Sequence, residues 1–134
     1  GMNVVPYLLR RSFTRGLMMV NLVEFDSLYG HRRNVEGYKR AIEDFDYQLG
    51  GLLDLLKDDD LLFITADHGN DPTWKGTDHT REMVPLLAYS PSMSHSVALG
   101  DRHSFADIGE TVLQNFGLKQ WHIGKSFFDV LNLK

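Results

Sequence analysis

No cysteine occurs among the 134 residues, which excludes disulfides and Cys-ligated zinc and fits a reducing compartment. No apolar run approaches the ~20 residues of a membrane-spanning helix, and the start lacks the apolar stretch of a secretory signal, so the chain is read as cytoplasmic with no membrane partner. Basic residues are in deficit, 14 Lys and Arg against 18 Asp and Glu for a formal charge of −4. With no basic stripe, a nucleic-acid partner is not expected, because affinity for the phosphate backbone needs clustered Lys and Arg. Internal repeats, low-complexity tracts and linkers are also missing, which leaves one domain or a piece of one. What is present is 43% hydrophobic and 24% charged residues, the balance of a globular protein able to bury a core. The opening Gly1-Met2 reads as a tag remnant or an engineered junction.

The stretch Thr65 to Glu82, TADHGNDPTWKGTDHTRE, organises the rest. It follows Leu61-Leu62-Phe63-Ile64, which has the length and composition of a buried strand. Neighbouring side chains of a strand point to opposite faces, so Asp67 and His68 serve one site only from the loop beyond it. Gly69, Asp71-Pro72 and Gly76 mark successive bends, and His79 follows eleven residues after His68. Aspartate and imidazole donors without cysteine suit Zn, Mn or Fe in a catalytic role.

Upstream, Asn3 to Thr14 is expected to form a short helix with Pro6 near its first turn, ending before Gly16. Leu17 to Val23 reads as a buried strand, followed by Asp26 and, five residues on, His31. On an α-helix these two would diverge by roughly 140°, so a shared site requires a loop. Val35, Tyr38, Ile42, Phe45, Leu49, Leu52 and Leu56 step by three or four, the stripe of an amphipathic helix from Asn34, its cap, to Lys57, with a kink or break expected at Gly50-Gly51. Strand, helix and strand make a βαβ crossover with parallel strands, which places Asp26 and Asp67 at one edge of the sheet. Val84 to Ser90 is expected as a third strand and Ser96 to Leu99 as a short one. A further helix carries Phe105, Ile108, Val112, Leu113 and Phe116, capped by Ser104 and stopped by Gly117, and Phe127, Phe128, Val130 and Leu131 are packing residues of the tail. The fold class predicted is α/β, a parallel-sheet core with flanking helices. Asp26, His31, Asp67, His68 and His79 are the candidate metal ligands, whereas His95, His103 and His122 stand beside no strand-end carboxylate and are set aside.

The segments VNLVEFDSLYGHRR and LLFITADHGNDPTWKGTDHTREMVPLLAYS resemble the phosphopentomutase family of the alkaline phosphatase superfamily, over almost the whole chain from about Phe13. Related cofactor-independent phosphoglycerate mutases usually have the first Asp and His one residue closer. The resemblance implies an alkaline-phosphatase-like partial domain in which Asp26, His31 and His79 hold one metal and Asp67 with His68 the other, Mn being the expected ion and Zn the alternative. It implies interconversion of ribose or deoxyribose 1-phosphate and 5-phosphate through a phosphoryl-enzyme, with a sugar phosphate substrate and a sugar bisphosphate activator. It further implies an upstream Asp ligand, an upstream Thr nucleophile and a cap domain, none of which matches a position here. Residues 1–134 are therefore expected to be the C-terminal portion of the metal-binding core, with no catalytic nucleophile in this chain and no activity alone. Lys75, Arg32, Arg33 and Arg81 are read as either phosphate-neutralising or structural cations. A phosphatase or phosphodiesterase of the same superfamily, or a non-enzymatic metal-binding domain, are the alternative readings.

Overall fold

The computed structural model describes residues 2, 4–10 and 14–134. It divides into two compact units, Gly1–Lys57 with His68–Leu86, and Asp58–Asp67 with Leu87–Lys134. No helix among the described residues is long and apolar enough to cross a membrane.

In the first unit, helix α1 spans Val4–Arg10, with Pro6 inside its first turn, where a missing N–H breaks no intrahelical bond. Positions 3 and 11–13 of the helix expected here lie outside the described residues. The segment predicted as a strand, Leu17 to Val23, forms none; Leu17 and Met19 are 67% and 89% exposed. A strand exists only through its ladder to a neighbour, and no described segment pairs with this one, so the predicted βαβ crossover and parallel core are not formed among the described residues. In place of the predicted loop, the chain next forms a π-helix, Phe25–Gly30. Helix α2, Val35–Leu53, starts where Asn34 was expected to cap it: the Asn34 side chain accepts from Gly37 N at 2.9 Å. It runs through Gly50 and Gly51 without a break. Its inner face meets the π-helix, where the Phe25 and Tyr38 rings pack edge to face, 5.4 Å apart.

In the second unit, β1 (Leu62–Thr65) pairs with β2 (Leu86–Tyr89), whose first residue closes the first unit. Pro85 immediately precedes β2, where no ladder donor is needed. The strand expected at Ser96 to Leu99 is irregular chain. Helix α3, Ala106–Asn115, begins after Ser104, whose hydroxyl accepts from Ala106 N. It ends in a Schellman arrangement, Leu118 N to Leu113 O and Gly117 N to Gln114 O, with Gly117 at φ 66°. A 3-10 helix, Phe128–Leu131, closes the chain. Phe127 and Leu131 are 2% and 0% exposed, and Phe127 meets Phe63 edge to face at 5.7 Å. Two carboxylates buried on α3 hold the neighbouring loop: Asp107 accepts from Arg102 Nε and Lys125 N, and Glu110 from Trp121 N and Ile123 N. Thr111 accepts from Phe127 N at 3.0 Å and donates to Asp107 O at 2.7 Å. These bonds satisfy groups that burial would otherwise penalise.

Candidate metal centre

The π-helix explains how Asp26 and His31 serve one site. Its i→i+5 bonds, such as His31 N to Asp26 O at 2.9 Å, bring residues five apart into adjacent turns. The α-helical divergence that demanded a loop therefore does not arise. His79 arrives from the loop 70–79, whose base is closed by a bridge between Gly69 and Thr80.

Asp26, His31 and His79 present donor atoms within 4.8 Å of one another. His31 Nε2 lies 3.3 Å from Asp26 Oδ2, His79 Nε2 lies 3.3 Å from Asp26 Oδ1, and the two imidazole nitrogens are 3.1 Å apart. Donors that each lie about 2 Å from a common divalent ion stand about 3 Å from one another, so the spacing fits a shared cation. The tautomers agree. His31 Nδ1 bonds the Thr77 carbonyl, which only accepts, so a proton is on Nδ1, and in the neutral ring the Nε2 lone pair faces the cluster. His68 likewise bonds the Gly69 carbonyl through Nδ1, and its ring stacks on His79 with centroids 3.7 Å apart.

Burial raises the Asp26 carboxyl, but the Asn70 hydrogen bond at 2.6 Å and the imidazoles of His31, His79 and His68 outweigh it and hold it below its ordinary value. Asp26 thus stays ionised, as a metal ligand must. The Tyr38 phenol is pushed up by burial and then by the carboxylates of Glu82, Asp26 and Asp71, which marks the surroundings as a negative field.

Of the five predicted ligands, the structure brings together Asp26, His31 and His79 and lays His68 against them. Asp67 is exposed beyond β1 and belongs to the second unit. Of the four cations near the ligands, Arg33 is committed to the fold, bonding carbonyls of Gly76, Asp71 and Asp78. Asn70, which sequence reasoning did not single out, links Arg33 to Asp26; its only signal in the sequence is its place two residues after His68. Two threonines, Thr73 in the loop and Thr80 at its base, are also committed: Thr73 Oγ1 donates to Asp71 Oδ1, and Thr80 Oγ1 accepts from Asp71 N while donating to Glu82 Oε2.

The sequence is similar to those of known proteins. A phosphopentomutase of Levilactobacillus brevis is 57% identical over 127 residues, 95% of this chain and 32% of that protein. One of Clostridium beijerinckii is 63% identical over 105 residues, 78% of this chain and 26% of that protein. One of Agathobacter rectalis is 54% identical over 133 residues, 98% of this chain and 33% of that protein. The chain thus spans about a third of the length of the curated relatives it matches. The family model described as the metalloenzyme superfamily matches residues 4–120. With a convergent Asp-His-His donor set inside that range, this α/β chain belongs to the metalloenzyme superfamily.

Proposed function

We propose that this chain is the C-terminal, metal-binding portion of a phosphopentomutase. The longer polypeptide would interconvert ribose or deoxyribose 1-phosphate and 5-phosphate, with a sugar bisphosphate as activator, in the cytoplasm. The observation that carries the reading is the Asp26–His31–His79 cluster, found in a sequence 54–63% identical to proteins of that name.

In this reading Asp26, His31 and His79 hold one ion, Mn by preference, and His68 with Asp67 contributes to a second. When bound, such ions would neutralise charge on the phosphoryl group and polarise its oxygens. The chain's own residues supply orientation: Asn70 holds the Asp26 carboxylate, the Thr77 carbonyl sets the His31 tautomer, and the His68 ring backs His79. The commitment of Thr73 and Thr80 to the loop supports a nucleophile located elsewhere in the longer polypeptide. The mostly apolar segment Leu17 to Val23, with Leu17, Met19, Val20 and Val23 exposed, is read as a strand of a parallel core that pairs in the longer polypeptide.

The test is direct. The longer polypeptide carrying this sequence is expected to convert ribose 5-phosphate to ribose 1-phosphate, and its His79→Ala variant to lose at least about tenfold in metal affinity and most of its activity, with its circular dichroism retained. Release of inorganic phosphate without isomerisation would instead identify a phosphatase.

A further inference from the structure

Two residues beside the donors tie the site together. Arg33 adopts a left-handed backbone, φ 52°, unusual for a residue with a side chain. Its guanidinium is taken up by the loop that carries His79. Nε donates to Gly76 O at 2.5 Å and Nη2 to Asp78 O at 2.6 Å; Nη1 donates to Asp71 O and Asn70 Oδ1, both at 2.7 Å, and to Gly30 O at 3.2 Å.

Each of the three donors is one step from this plug. The carbonyls of Gly76 and Asp78 flank Thr77, whose own carbonyl holds His31 Nδ1. Asp78 directly precedes His79. Asn70 accepts from Arg33 through Oδ1 and donates to Asp26 Oδ1 through Nδ2 at 2.6 Å. Arginine only donates and a carboxylate only accepts, so the chemistry of the two partners fixes the orientation of the Asn70 amide. Gly30 permits the close approach: a Cβ there would meet Asn70 Nδ2 at 2.5 Å.

We propose that Arg33 and Asn70 are positioning residues of the metal centre, the guanidinium setting the loop that presents His79 and the His31-bonded carbonyl, and the amide setting the Asp26 carboxylate. The inference rests on the reading of Asp26, His31 and His79 as a metal centre. A lysine cannot replace Arg33, because an ammonium offers three donors from one atom where the guanidinium offers five in a plane.

The test is titration of the 134-residue chain and its Asn70→Ala and Arg33→Lys variants with Mn2+ by calorimetry and with Co2+ by visible absorption, beside melting curves of the metal-free proteins. Both variants are expected to bind Mn2+ about ten- to a hundredfold more weakly and to alter the Co2+ band, while the metal-free chains still melt cooperatively. Should Asn70→Ala not melt cooperatively, Arg33→Lys, which keeps charge and length, decides. Parental affinity and an unaltered Co2+ band in the variants would overturn the positioning role alone. A parent chain that takes up neither ion would overturn the metal-centre reading, and this inference with it.

Discussion

Asp26 joins backbone geometry, electrostatics and chemistry in one side chain. Its carboxyl is raised by burial and lowered more by Asn70 and three imidazoles. A carboxyl whose folded value is depressed contributes stability that is fully present above its unfolded value, about 3.9, and is lost as pH falls through the folded value. Metal-free Asp26→Asn is accordingly expected to melt below the parent at neutral pH, the gap closing only below about pH 4. Melting curves from pH 7 to pH 3 check this. A gap already closed at pH 5 would mean that the carboxyl is not held below its ordinary value.

At the scale of elements, the π-helix is the feature on which the site depends, because its wider turn aligns residues five apart. Gly30 ends that turn against Asn70, so Gly30→Ala forces the amide aside, as the approach of 2.7 Å from the added Cβ to Asn70 Cγ requires. Overpacking of this kind costs about 1–3 kcal/mol. Denaturant titration is expected to show that loss together with weaker Mn2+ binding; unchanged stability would mean that the loop yields freely. In the second unit, Thr111→Val keeps shape and removes the acceptor of Phe127 N and the donor to Asp107 O. It leaves a buried N–H unsatisfied, for about 1–3 kcal/mol by the same titration.

The whole molecule contains one three-donor cluster among its described residues and matches about a third of the length of its relatives. The 134-residue chain is expected to take up Mn2+ or Zn2+ at Asp26, His31 and His79, yet to form no phosphoryl-enzyme and leave ribose 5-phosphate unconverted. Labelling with a 32P-sugar bisphosphate, followed by isolation of the protein, checks this. Label retained on the chain would falsify the placement of the nucleophile outside these residues.

The sequence by itself determined much of the local structure. The three-to-four stepping from Val35 named α2 and Asn34 its cap, and Gly117 named the end of α3, because each signal is written within a few residues of the element it controls. Three matters were decided only in three dimensions. An apolar run such as Leu17 to Val23 carries the composition of a strand but not its partner, and the hydrogen bonds that make a strand come from residues distant in the chain. A spacing of five between Asp26 and His31 fits a loop or a π-helix equally until the backbone bonds are seen. The long-range contacts of Arg33 and Asn70, 37 to 45 residues apart, likewise have no local signature. The choice between a phosphate-binding cation and a loop-holding one was made by which carbonyls folding brought within reach of the guanidinium.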